Sequence, residues 1–316
     1  MDVLLSPVIL FFVLGALAAA ARSDLAIPEP IAKGMALYLM AAIGLKGGVQ
    51  VAEGGFSPTM AAAAVAGLAL SCLIPLAAFG LLRGIGRLGR IDAAAVAAHY
   101  GSVSVVTFVA GSEMLKAAGM APAGFMVAVL ALMETPAIIA GLILAKGSGS
   151  SDAHERGELL RETLLNGTVV LLLGSFAIGL IVGKEGFAPI APVFDGGFRG
   201  ILCLFLLDMG LIAIRRLRET RSLTFRLAGL GVLMPVMNGT AGTVVGHLIG
   251  LDAGSAAALG ILCASASYIA VPAAMRLALP QADAGLSLAM SLAVTFPFNI
   301  ALGIPAVSLL ARWLAS

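Results

Sequence analysis

The sequence predicts an all-α polytopic membrane protein of about ten transmembrane helices, built as two inverted five-helix repeats whose two discontinuous helices cross at the midplane. Three observations predict it: an excess of apolar residues, the lengths of the apolar runs, and matched positions half a chain apart. Of the 316 residues, 60% are hydrophobic and 11% charged, whereas soluble domains run near 45 to 50% apolar and roughly a quarter charged. A soluble core cannot absorb that much apolar surface.

A membrane span takes about 20 mostly apolar residues. Runs of this kind fall at 3 to 21, 33 to 51, 59 to 82, 93 to 112, 122 to 145, 167 to 183, 197 to 214, 225 to 250, 255 to 275 and 285 to 311, ten in all. The first opens with Asp2, has no basic segment before it and is followed by further spans, so it reads as a retained helix. Cys72, Cys203 and Cys263 sit inside apolar runs without metal-ligand spacing and read as small packing residues. The net charge of +2 points to no nucleic-acid partner.

If the spans alternate in direction, one side collects Arg22, Lys33, Arg83, Arg87, Arg90, Lys146, Arg156, Arg161, Arg215, Arg216, Arg218, Arg221, Arg226 and Arg276. The other side receives Lys46, Lys116, Lys184, Arg199 and Arg312, fourteen against five. Basic residues stay cytoplasmic, which places the protein in the cytoplasmic membrane with both termini outside. The long polar stretch 146–166, KGSGSSDAHERGELLRETLLN, then lies in the cytoplasm as a linker between a first repeat at 1–145 and a second at 167–316. Its mixed charges, with His154, read as a solvated connection.

An odd number of helices per repeat forces the second copy into the membrane upside down, as in many secondary transporters. Lys33-Gly34 and Gly44-Leu45 match Arg199-Gly200 and Gly210-Leu211 at a displacement of 166. Leu70, Leu73 and Pro75 match Leu230, Leu233 and Pro235 at 160. Ala93–Ala95, Ser102 and Ser104 match Ala256–Ala258, Ser265 and Ser267 at 163, and Ala123-Gly124 and Pro136 match Ala284-Gly285 and Pro297 at 161.

The fourth run and its mate are apolar at their ends and polar in the middle. Ser-x-Ser at mid-span, with Pro272 nearby, is the pattern of a broken helix: serines cap freed amides and proline removes a ladder bond. A half-helix N-terminus offers unpaired N–H groups and about half a positive charge. Gly101, Ser102, Ser104, Ser265, Ala266, Ser267 and Tyr268 would thus form a small neutral cradle sized for a compact oxyanion. Small polar residues also serve as ordinary packing between membrane helices.

Met133-Glu134-Thr135-Pro136 and Thr295-Phe296-Pro297-Phe298-Asn299 form a second constellation, in which each proline frees a carbonyl, at Leu132 and Ala293. A carboxylate at mid-span costs about 2.5 to 3.5 kcal/mol on insertion scales and has to be paired, protonated or bound to a cation. Glu134 with Ser102, Thr107, Ser267, Thr295 and Asn299 supplies hard oxygen ligands suited to sodium. Asp208 reads as an ion-relay group or as the partner of a neighbour such as His99; His99 and Tyr100 read as supporting hydrogen-bonding groups.

HYGSVSVVTFVA (99 to 110), MVAVLALMETPAIIAG (126 to 141), GILCLFLLDMGLIAIRRLRE (200 to 219), CASASYIAVPAAMRLALPQA (263 to 282) and AVTFPFNIALGIP (293 to 305) closely resemble the sodium-dependent bicarbonate transporter family known from cyanobacteria. The resemblance implies a trimeric, ten-helix permease that imports bicarbonate by symport with sodium. It implies a substrate site where the broken helices cross, which corresponds to Ser102, Ser104, Ser265 and Ser267. It further implies that a PII-like regulator can bind from the cytoplasm, and no cofactor beyond sodium as coupling ion. A proton-coupled or other small-anion carrier, for example of sulfate, is the alternative. An intramembrane enzyme ranks third, since no span carries a close Asp/His/Glu or Ser/His grouping.

Overall fold

The computed structural model describes residues 7–55, 57–146 and 167–316, and the regular structure among them is entirely helical. In chain order come α1 (Pro7–Ala20), α2 (Glu29–Gly54), α3 (Pro58–Gly84), α4 (Arg90–Gly101), α5 (Val105–Ala117) and α6 (Met126–Lys146). There follow α7 (Gly167–Phe187), α8 (Phe198–Glu219), α9 (Phe225–Leu248), α10 (Ala253–Ala264), α11 (Ala270–Ala278) and α12 (Ala284–Ala315). The linker anticipated at 146–166 lies, beyond Lys146, outside the described residues.

Seven helical stretches, with α4 and α5 taken together as one, are long and apolar enough to cross a membrane, and α1 and α10 are shorter apolar helices. Outward faces are apolar too: Val65, Ile181, Leu248 and Leu309 are each at least two-thirds exposed. In water such a surface would be a liability; in hydrocarbon it is the favourable one. The chain is therefore a multi-pass, all-α membrane protein.

Local chemistry sets the helix limits. Ser57 accepts from the amide of Met60 and Thr224 from that of Leu227, capping α3 and α9, while Asp252 accepts from Ser255 to cap α10. Arg216 and Arg218 close α8 where the helix dipole favours cations. α2 begins earlier than its apolar run because Glu29 and Lys33, 2.7 Å apart, pair one turn apart on its exposed first turns. α12 is less regular than its sequence predicts, with wide turns at Ala289–Thr295 and Asn299–Gly303 on either side of Pro297. Such widening lets a helix absorb a residue that cannot donate to the ladder.

The helices sort into two groups. α1 packs along α8 and α2 along α7, while α3 packs on α4 and α6, and α9 on α10 and α12. Glycines allow the tight approach in the first group: a Cβ on Gly15 would lie 2.0 Å from the carbonyl oxygen of Leu207, and one on Gly48 2.0 Å from that of Phe176. Small residues at helix crossings are how membrane helices gain dispersion contact without a hydrophobic driving force between them.

Candidate functional site

The fourth and ninth apolar runs are both interrupted at their centres. α4 ends at Gly101, Ser102 turns to an extended conformation, and α5 restarts at Val105 with Ser104 as its cap, the serine oxygen accepting from the amide of Thr107 at 3.2 Å. α10 ends at Ala264, Ser265 is extended, and α11 restarts at Ala270 with no side-chain cap at Ile269. Pro272 lies in the first turn of α11, where its missing amide has no helical partner to lose, so it helps start the half-helix and does not itself make the break.

The two interrupted helices run antiparallel. At one end Ala123 N–H, just past α5, donates to Ser255 at the start of α10 (3.0 Å). At the other, Asp283 N–H, just past α11, donates to Asp92 at the start of α4 (2.8 Å). Between these ends the breaks touch: Ser104 N–H donates to Ser265 Oγ at 2.9 Å, and Ser267 N–H donates to the carbonyl of His99 at 2.8 Å. The His99 ring completes the contact, its Nδ1 2.5 Å from the carbonyl oxygen of Ser267. Serine hydroxyls, main-chain groups and the His99 ring make this contact between the two breaks.

Ser102, Ser104, Ser265, Ala266, Ser267, Thr107, His99 and Tyr100 are all buried. Ser265 Oγ both accepts from Ser104 and donates to Leu262 O (2.7 Å), whereas Ser102 Oγ is buried without a hydrogen-bond partner among the described residues. Gly101 is required by packing: a Cβ there would stand 2.1 Å from Pro75 Cγ.

Ser104, Ser267, Tyr268 and Glu134 line one small cavity at the crossing, together with Val103, Val105 and Ile269. Its volume of ≈ 10 Å³ is room for about one water. Glu134 is 2% exposed, and its Oε2 and the Tyr268 hydroxyl have no partner among the described residues. The other residues expected to hold a cation lie elsewhere. Thr295 donates to the carbonyl of Gly231 (2.6 Å) and lies 2.6 Å from the Tyr100 hydroxyl, while Asn299 Nδ2 donates to Ala264 O at 2.7 Å, holding the last carbonyl of α10. Asp208 is buried on α8 with Oδ2 unpartnered, and no His99–Asp208 bond forms among the described residues, since His99 is engaged with Ser267.

Larger cavities flank the crossing. One of about 120 Å³ reaches His99 between α4, α11 and the start of α12, on the face of Asp92 and Asp283. Another of about 60 Å³ opens between α2 and α5 on the face of Glu113 and Lys116. Sequence reasoning missed Ser71, whose hydroxyl donates to Met133 O (2.6 Å) beside Glu134 and fixes α6 to α3. A lone serine in an apolar run gives no sign of such a role. It also missed the ion pairs Lys46–Asp195 (2.5 Å) and Arg199–Glu113 (2.8 Å), which need the tertiary arrangement.

No curated protein matches the chain. The sequence model of the Na+-dependent bicarbonate transporter superfamily matches residues 7–312. A match over nearly the whole length assigns the protein to transport and not to catalysis, and the chain belongs to the Na+-dependent bicarbonate transporter superfamily.

Proposed function

We propose that the protein is a sodium-dependent secondary transporter that imports bicarbonate across the cytoplasmic membrane by alternating access. The antiparallel crossing of two broken helices, with buried serines at the contact and cavities on opposite sides of it, carries this reading. Such crossings place half-helix N-termini where an anion can use their amides in place of a charged side chain.

Ten spans in two inverted repeats suit the packing. Counting each interrupted pair once, α1–α6 supply five spans and α7–α12 five. If repeats one and two are related by inversion, the α1/α8 contact must reappear as α7/α2, and both contacts are extensive. Their details agree: a Cβ on Gly210 would meet Phe12 O and Ala16 N, and one on Gly44 would meet Leu172 O and Phe176 N. The surplus of basic residues on the face of Arg90 favours that face as cytoplasmic.

In this reading Ser102, Ser104, Ser265 and Ser267, with Gly101, Ala266 and Tyr268, receive bicarbonate at the starts of α5 and α11. Sodium binds beside it through Glu134 and Ser267, which line the same cavity, and Ser102, Thr107, Asn299 and Thr295, expected from the sequence as further oxygen donors, would have to move to reach it. A cavity with room for about one water is too small for the anion, so the two half-helices have to part for loading. The sodium charge then offsets that of bicarbonate, which ties the two together. Family resemblance adds a homotrimer and a PII-like cytoplasmic regulator.

The unpartnered Glu134 oxygen also favours a second reading, in which the same scaffold couples a small anion to protons. Uptake of labelled bicarbonate into proteoliposomes under a sodium gradient, against a proton gradient alone, separates the two. Sodium-independent uptake sinks the first reading. Ser102→Leu and Ser267→Leu are expected to abolish uptake while leaving membrane insertion intact; unchanged uptake would remove the crossing from the mechanism.

A further inference from the structure

A second polar chamber lies off the crossing, in the cleft between α2 and α5. It has a volume of about 60 Å³, and Lys46, Gln50, Ser112, Glu113 and Lys116 stand in its wall. Around it the ions do not balance. Arg199 Nε lies 2.8 Å from one oxygen of Glu113, and Lys46 lies 2.5 Å from Asp195. The hydrogen bond from Lys46 holds the Asp195 carboxyl below its ordinary range, so that pair stays ionised at neutral pH. Lys116 reaches only the second oxygen of Glu113, at 3.7 Å. Three cations thus share two carboxylates, leaving one positive charge in surplus, and the loosest of the three faces the chamber.

A second observation points the same way. One turn before Lys116 on α5, the Ser112 hydroxyl oxygen is enclosed and has no hydrogen-bond partner among the described residues, yet the residue lines the chamber. A buried hydroxyl without a partner is costly unless something in the cavity completes it. Across from it, Gln50 is seated against Gly124, where a Cβ would come within 2.7 Å of its Oε1. The chamber is also in line with the crossing. It shares Val109 with an apolar gap next to it, and that gap shares Val105 and Ile269 with the cavity of Ser104 and Ser267.

We infer that this chamber is an anion-capture site, in which Lys116, Ser112 and Gln50 hold a small monovalent oxyanion before it reaches the crossing. The surplus charge attracts the anion, and the hydroxyl and carboxamide replace part of its hydration shell. Glu113 tunes the site: it keeps Lys116 from binding the anion so tightly that it cannot move on. The inference rests on the transport reading for its role in the cycle, but the site itself is testable without transport.

With Cys72, Cys203 and Cys263 replaced by alanine, Gln50→Cys in the purified full-length protein is exposed to thiosulfonate reagents of equal size, one carrying a sulfonate and one a trimethylammonium group. With each rate taken relative to the same reagent's rate with a free thiol in solution, the sulfonate reagent is expected to react about tenfold faster, and adding Lys116→Met is expected to erase the preference. Equal rates for both reagents, or a preference that survives Lys116→Met, overturns the site. In the otherwise native protein, Lys116→Met and Ser112→Ala are expected to raise the KM for bicarbonate by about tenfold with little change in kcat, and Lys116→Arg to restore it. An unchanged KM in both variants overturns the role in capture. A wild-type protein that moves no bicarbonate while the reagent preference stands would count against the proposed substrate alone.

Discussion

In the first half of the chain, Ser71 on α3 donates its hydroxyl proton to Met133 O on α6; in the second, the bond between the corresponding helices runs the other way, from Thr295 on α12 to Gly231 O on α9. At the displacements at which the two halves match in sequence, 160 and 161 residues, Ser71 corresponds to Gly231 and Glu134 to Thr295. If the two halves are inverted repeats, as proposed, this matched position has divided its labour. Thr295 is used up in fastening, bonded to Gly231 and Tyr100, while in the first half Ser71 does the fastening and Glu134 lines the cavity at the crossing with one oxygen unpartnered among the described residues. At this matched pair, the first-half residue is free for the proposed site and the second-half residue holds the frame.

The sharpest way to break that comparison is at the breaks. Gly101 and Ala264 stand at matching positions of the two halves, 163 residues apart in sequence. Only the first is pressed against a proline ring, with 2.1 Å left for a Cβ, whereas Ala264 lies against Gly239, whose added Cβ would be 3.0 Å away. Gly101→Leu is expected to abolish sodium-driven uptake, with Ala264→Gly retaining most of it; equal losses at the two positions would show that the halves are not packed differently. Overpacking costs about 1 to 3 kcal/mol and here falls on the bend itself.

Next in size is the division between Glu134 and Thr295. Glu134→Ala is expected to raise the sodium concentration for half-maximal uptake by more than about tenfold, the loss of a charged ligand worth upward of 1.4 kcal/mol. Thr295→Val keeps the shape but strands the Gly231 carbonyl. It is expected to cost about 1 to 3 kcal/mol of stability, read from thermal unfolding in detergent, with the sodium dependence nearly unchanged. A large sodium effect at Thr295 would instead make it a ligand and return the two halves to equal roles.

Much of this was legible in the sequence for a physical reason. Helices in lipid must satisfy their own amides, so apolar runs give their positions, and a polar Ser-x-Ser inside such a run stands out because the membrane makes it expensive. Ser102, Ser104, Ser265 and Ser267 were singled out that way, and the helix breaks fall at them. Partner choice was not legible. Asn299 is one carboxamide in an apolar helix, and only the fold brings it within 2.7 Å of Ala264 O. The pairing of His99 with Ser267 and not Asp208, and the widened turns of α12, depend on backbone geometry that a periodic pattern does not encode. Lys46, Lys116 and Arg199 were assigned to one face by counting charges, but the meeting of Lys46 and Lys116 in one chamber, with Arg199 on Glu113 in its wall, required the cleft between α2 and α5.

Asn299 gives a third test. Its counterpart in the first half is Ile138, so the first break has no carboxamide clip on α6. Asn299→Ala leaves the buried Ala264 carbonyl unpaired and is expected to cost about 1 to 3 kcal/mol. Ile138→Val should cost about 0.5 to 1.5 kcal/mol, as for an ordinary core methyl, and thermal unfolding of both variants checks the ranking.

The smallest effects lie at the far ends of the interrupted helices. Asp252 caps α10, accepting from Ser255 N at 3.0 Å and Ser255 Oγ at 2.6 Å, while the equivalent position on α4 is Gly89, with no side-chain cap. Removing the cap by Asp252→Ala is expected to lower stability by about 1 kcal/mol. Gly89 has φ −56°, open to any residue, and among the described residues an added Cβ would meet nothing closer than 3.9 Å. Gly89→Ser should therefore add a cap where none exists, worth a few tenths of a kcal/mol because glycine is itself a tolerable cap. Serine suits better than aspartate there, since the Asp92 carboxylate is a neighbour of the new Cβ. If both changes move the unfolding temperature in the expected directions while uptake per folded molecule stays constant, the outer ends of α4 and α10 serve stability alone. A change in uptake rate from Gly89→Ser would mean that the uncapped end of α4 has to loosen during the cycle, and the asymmetry between the halves would then extend from the crossing to the membrane surface.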